Sequence, residues 1–256
     1  MTDRSASGLR SRDTALRLAV VLGVLSLAGA ALFWGTHLLP DGGDTADVPA
    51  LEVAPAPIVL GTVGQPAAAT ASVPGTAQLR SWAADLAGRT GIPPRALEAY
   101  GLAELVVGRL DPACHLSWVT VAGLARIESD HGRYHGSQVA PDGEVVPPVI
   151  GVPLDGTHGN ESIAGPDGGS VRARGPLQFI PSTWATWGTD MHGTGRADVD
   201  NIDDAAVTAG RYLCADGRDV ATGPGWTSAV LSYDASADYA RRVFTAASAY
   251  ASGTSP

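Results

Sequence analysis

The pattern of apolar and polar positions divides the chain into stretches of different character. Residues 1–17 are polar and carry Arg4, Arg10, Arg12 and Arg17. From Leu18 to Pro40 there is no charged residue, and Leu18–Trp34 is almost wholly apolar. A spanning helix needs roughly 20 such residues, so the pattern predicts one transmembrane anchor over 18–40. Arginines precede it and none follows until Arg80, which places the N-terminus in the cytoplasm and the rest of the chain outside the cell membrane. The alternative is a signal peptide cleaved after Ala28-Gly29-Ala30, but the apolar run continues past it through Leu32-Phe33-Trp34 and favours an anchor.

Residues 41–78 set Pro49, Pro55, Pro57, Pro66 and Pro74 among Ala, Val, Thr and Gly, which predicts a disordered tether that packs no core. Helical periodicity then governs 79–256 and predicts a mainly α domain. Its expected helices are Leu79–Arg89, Pro94–Arg109, Ser117–Ser129, Pro181–Trp187, Asp204–Cys214, Thr227–Tyr233 and Ala237–Ala251, with Asp203, Thr227 and Ser236 as N-caps for the last three. Between Gly132 and Arg174 runs a Gly-, Pro- and Val-rich stretch too long for an ordinary connection. It predicts a functional loop with a small β insertion, a strand or hairpin over Val145–Val152.

Composition narrows the function. All 17 basic residues are arginine, against 26 acidic ones, for a net charge of −9. With no arginine-rich run the chain does not read as a nucleic-acid binder. Its acidic exterior gives no long-range attraction to an anionic polymer, so any such substrate is held by local contacts. No association pattern stands out, and a monomer is expected. Cys114 and Cys214 are too few for a disulfide-dense scaffold. Outside the membrane they either bridge, closing a loop of about 100 residues, or stand as two buried free thiols.

Three features bear on chemistry. At 100° per residue Val121, Leu124, Ala125 and Glu128 share one helix face, so a carboxylate ends an apolar stripe. Desolvation there raises its pKa toward that of a general acid, unless the side chain simply bends out to water. Glu128, His131 and His135 have the composition of a metal site, but Gly132 and Gly136 break the helical spacing, and no metal or cofactor is expected. The segment Gly175-Pro-Leu-Gln-Phe-Ile-Pro-Ser-Thr-Trp184 reads as a turn displaying Gln178 beside aromatic surface, either a sugar-recognising element or an ordinary loop-to-helix junction.

Leu124-Ala-Arg-Ile-Glu-Ser-Asp-His-Gly132 followed by Gly175–Trp184 resembles the lytic murein transglycosylases of the membrane-bound B type. Asn201-Ile-Asp-Asp-Ala-Ala206 and Ala229-Val-Leu-Ser-Tyr-Asp-Ala-Ser-Ala-Asp-Tyr239 extend the resemblance over about residues 79–251. It implies a lysozyme-like domain with a groove for peptidoglycan glycan strands and cell-wall synthesis or division proteins as partners. By position, Glu128 matches the single catalytic acid/base, Gln178 and Phe179 match groove residues, and Tyr233 and Tyr239 match an aromatic wall. Cys114 and Cys214 match a cysteine pair of similar exported proteins. The chain departs from the family in having Asp234 where Asn is usual, and Val171 where Asp is usual.

The activity so implied is non-hydrolytic cleavage of the β-1,4 bond between N-acetylmuramic acid and N-acetylglucosamine, leaving 1,6-anhydro ends. The rivals are a muramidase, with Asp234 as a second carboxylate, and a catalytically weak glycan-binding scaffold.

Overall fold

The computed structural model describes residues 49–59, 76–157, 162–165 and 168–256. The predicted span over 18–40 lies outside them, as does most of the predicted tether. No described helix is long and apolar enough to cross a membrane.

Seven α-helices are described: α1 (Thr76–Thr90), α2 (Pro94–Leu110), α3 (Trp118–Ser129), α4 (Pro181–Trp187), α5 (Ile202–Leu213), α6 (Gly223–Tyr233) and α7 (Ala237–Ala251). The domain is mainly helical, and α3 runs through its centre. Every residue of α3 from Trp118 to Ala125 is buried, so the helix is enclosed on all sides for two turns. Its closest partner is α7. A Cβ on Gly123 would sit 2.9 Å from both the Ala247 Cβ and the Val243 carbonyl oxygen, so only glycine lets the two backbones approach this far. The polar start of α5 is buried because each carboxylate is occupied. Asp203 takes a two-pronged pair with Arg95 at 2.8 and 2.5 Å, and Asp204 accepts from the Met191 and Asp198 amides.

Two of the three expected caps are displaced. The α5 N-cap is Asn201, whose side chain accepts from the Asp203 amide, while Asp203 itself lies inside the helix. The α6 N-cap is Thr222, so that helix begins four residues earlier than its apolar pattern suggests. Pro224 falls in the first turn, where its missing N–H costs nothing. Thr227 accepts from the Leu51 amide instead. Ser236 caps α7 as expected, bonding the Tyr239 amide.

The β insertion is two separate ladders. Strands β1 (Gln138–Val139) and β2 (Val145–Val146) pair antiparallel, as do β3 (Ile150–Pro153) and β4 (Arg172–Arg174). The run Val145–Val152 is therefore not one strand. Pro147 and Pro148 supply no N–H to a ladder, and the chain changes partner across them.

Cys114 and Cys214 form a disulfide, Cα atoms 5.4 Å apart, joining the turn after α2 to the end of α5. Residues 49–59 depart from the expected tether. Val53 is buried, Leu51, Ala56 and Ile58 pack on the core, and the Trp118 indole donates to the Ala56 carbonyl at 3.0 Å. Proline-rich sequence excluded regular structure here but not docking: its apolar residues strap across α3 and α6.

Candidate active site

Glu128 is the penultimate residue of α3. The helix stops there because Asp130 and His131 both adopt positive φ, at 51° and 61°. This stop ties the carboxylate to the next functional segment. Ser129 Oγ donates to the Pro176 carbonyl at 2.5 Å and accepts from the Gly132 amide at 2.8 Å. The Gly175–Phe179 turn is thereby clamped to the end of α3, and paired backbone bonds between Arg174 and Phe179 close it.

The Tyr239 hydroxyl, from the first turn of α7, donates to Glu128 Oε1. Burial of the carboxylate pushes its pKa up to about 7. The Tyr239 bond and the nearby Arg242 guanidinium pull it down, while the Asp234 carboxylate pushes it further up. Glu128 thus keeps its proton to a higher pH than an exposed glutamate, which suits a general acid. Burial also raises the phenols of Tyr233 and Tyr239 well above their ordinary value, so both remain protonated donors.

Glu128, Tyr233, Asp234 and Tyr239 come together in one place. Asp234 is exposed at the end of α6, and its Oδ1 accepts from the Ser236 amide in the turn leading to α7. The Tyr233 hydroxyl donates to the Leu177 carbonyl at 2.8 Å, which joins α6 to the Gly175–Phe179 turn. Gln178 and Phe179 are beside this group, Gln178 half-buried and Phe179 buried. Gln178 has a φ of 47°, and its amide nitrogen is spent on the Gly175 carbonyl at 2.7 Å, with Val149 at 3.4 Å. Phe179 is only 3% exposed and packs between Trp184 and Tyr233, so it props the aromatic wall from behind.

That wall is longer than the sequence reading had it. Trp184, Phe179, Tyr233, Tyr212 and Trp187 form a continuous series with successive centroid distances of 5.2, 5.8, 5.7 and 5.7 Å. Trp184, Tyr233, Tyr212 and Trp187 are partly exposed and offer apolar faces of the kind on which sugar rings stack. Ser129, Tyr212, Trp187 and Arg242 escaped the sequence reading. Adjacency to Glu128 is the one signal that could have found Ser129, and nothing local gives the others a role.

His131 is not brought to Glu128 as a ligand. It is buried between two tyrosines, its Nδ1 3.1 Å from the Tyr100 hydroxyl and its Nε2 2.8 Å from that of Tyr250. Burial holds it well below the usual histidine pKa, hence neutral. His135 is exposed beyond the helix end. Among the described residues no group of three His, Cys, Asp or Glu is arranged to hold a metal ion.

Residues 160–241 match a family model described as Transglycosylase SLT domain. The match spans Gln178, Phe179, Tyr233, Asp234 and Tyr239, and Glu128 lies before it. It supports peptidoglycan cleavage of the lytic transglycosylase type and agrees with the helical architecture. Comparison with curated proteins and with solved structures gives no match.

Proposed function

We propose that the protein is a lytic transglycosylase of lysozyme-like fold and membrane-bound B type. It cleaves the MurNAc–GlcNAc β-1,4 bond of peptidoglycan and leaves 1,6-anhydro-MurNAc ends, with Glu128 as its single acid/base. The observation that carries this reading is a carboxyl group raised to about pH 7 by burial, oriented by Tyr239 and bordered by an aromatic wall.

The Tyr239 bond occupies Oε1 and leaves Oε2 to deliver the proton to the leaving glycosidic oxygen. The substrate's own 2-acetamido group relieves the developing positive charge at C1, so no second carboxylate nucleophile is required. The Glu128 carboxylate then takes the proton from the C6 hydroxyl as its oxygen attacks C1. One residue closes the proton cycle. Gln178, Tyr233 and Tyr239 border the strand, and Phe179 holds the wall in place. The chain is anchored by residues 18–40 with its catalytic domain on the wall side; the Cys114–Cys214 bridge supports an oxidising compartment. The exposed Asp234 favours muramidase action as the second reading, since a second carboxylate can activate water.

Mass spectrometry of muropeptides released from sacculi by the full chain tests this. Anhydro-ended products are expected, and Glu128→Gln should lower their release by about 10²–10⁴-fold with an unchanged thermal melt. Reducing ends would mean hydrolysis. A wild type that binds sacculi but releases nothing would mean a scaffold.

A further inference from the structure

The turn clamped to the end of α3 runs straight into α4. Ser129 ties Pro176 to the Glu128 helix, and only Ile180 separates Phe179 from Pro181, where α4 begins. No residue of α4 is buried, yet it carries two tryptophans, Trp184 and Trp187. They are three residues apart, so they lie on one face of the helix, and both remain partly exposed. Their neighbours hold them still. Trp184 packs on Phe179 at 5.2 Å and Trp187 on Tyr212 at 5.7 Å. The Arg211 guanidinium lies 5.9 Å over the Trp187 ring and donates to the Trp187 carbonyl at 3.2 Å and to Thr189 Oγ1 at 2.6 Å. Tyr212 is pinned in turn by its hydroxyl, which donates to the Ser232 carbonyl at 2.8 Å.

Rings fixed in this way lose little freedom when a ligand stacks on them, which is what a sugar-binding surface needs. Their distance from the acid says which sugar. Each tryptophan is two ring contacts from Tyr233, Trp184 through Phe179 and Trp187 through Tyr212, and each contact spans 5.2–5.8 Å. One such contact matches the advance of one sugar along an extended β-1,4 strand. Tyr233 stands close enough to Glu128 to feel its charge, and so lies at the first sugar beside the cut bond. The tryptophans then fall at the third. The acidic exterior gives an anionic strand no long-range attraction, so stacking on uncharged sugar faces is the contact this surface can offer.

We infer that Trp184 and Trp187 of α4 form a distal platform that stacks the third sugar on one side of the cleaved bond. The inference rests on the reading of Glu128 given above. It makes the enzyme choose, within a strand, the bond that leaves at least three sugars on the platform side.

The test uses the full chain in detergent on two peptide-free fragments, a tetrasaccharide and a hexasaccharide, each running from GlcNAc to a reduced MurNAc end. The tetrasaccharide has one MurNAc–GlcNAc bond, with two sugars on either side, and does not reach the platform. The hexasaccharide has two such bonds, and only one of them puts a third sugar on the platform side. The reduced end gives the two cuts products of different mass. Wild type is expected to favour one hexasaccharide bond about tenfold, the scale of one aromatic stacking contact. Trp187→Leu and Trp184→Leu should each lower kcat/KM at that bond and bring the two cuts toward equality, while Trp187→Phe, which keeps an aromatic face, retains part of the preference. A wild type that cuts both bonds equally would overturn the platform. So would variants that keep the preference, or that lose activity on both bonds and on the tetrasaccharide alike, the mark of a merely structural role. If wild type cuts neither fragment, the reading of Glu128 falls and calorimetry decides the platform. Tighter binding of the hexasaccharide than of the tetrasaccharide, reduced in Trp187→Leu, would sustain it, and equal binding of the two would remove it.

Discussion

In the proposed mechanism Glu128 must hold a proton near neutral pH, and its neighbours set how tightly. As general acid it is active only when protonated, so the rate should fall as pH rises through about 7. Asp234 raises the Glu128 pKa by repulsion, and Asp234→Asn keeps an acceptor for the Ser236 amide while removing the charge. Its descending limb should therefore move to lower pH. Tyr239→Phe keeps the ring but removes the donor that favours the carboxylate, so its limb should move to higher pH. Rate profiles of muropeptide release decide the matter: shifts in the same direction would mean that these residues do not tune Glu128. Periodicity alone brought Glu128 to the end of an apolar stripe, and that much of the site was legible. Its partner Tyr239 is 111 residues away, so it came only through resemblance. Gln178 has a positive φ, invisible in sequence, and bonds the Gly175 carbonyl through its amide nitrogen.

At the scale of elements, sequence periodicity located all seven described helices but mistook where several begin. Asn201 and Thr222 cap their helices ahead of the first apolar position, in stretches that read as loop. β2 pairs back to β1 across a short turn, whereas β3 pairs forward to β4 across some 20 residues, a contact that a four-residue pattern does not encode. The crossing of α3 and α7 was hidden in a single glycine. Gly123→Ala brings a methyl against the Val243 carbonyl, a backbone atom that moves only if α7 moves. We expect a loss of about 1–3 kcal/mol in stability and a displaced Tyr239. Thermal melts and release assays on the variant should show both losses. A stable but inactive protein would mean that α7 shifts without strain, and an unchanged one that the approach is looser than described.

Over the whole molecule, two ties hold the helices around α3, and they act differently. The Cys114–Cys214 bridge closes a 100-residue loop containing Glu128, the β insertion and the aromatic wall up to Tyr212. Chain entropy makes such a closure worth about 4–5 kcal/mol, a large part of the roughly 5–15 kcal/mol by which domains are stable. The bridge acts mainly on the unfolded chain. The strap of residues 49–59 acts on the folded one, through Val53, the Leu51 bond to Thr227 and the Ala56 bond to Trp118. Val53→Asp places a charge in the strap's buried contact, but its cost is capped because the strap can undock and leave the charge in water. About 1–3 kcal/mol is therefore expected, the scale of one buried valine and its neighbouring bonds. The full chain should melt highest, the Val53→Asp variant lower, and the Cys114→Ser, Cys214→Ser double variant lowest. Since the strap does not touch Glu128, Val53→Asp should retain its release rate at temperatures below its melt. An unaltered melt would make the strap an incidental contact, whereas a melt below that of the double variant would make it part of the core.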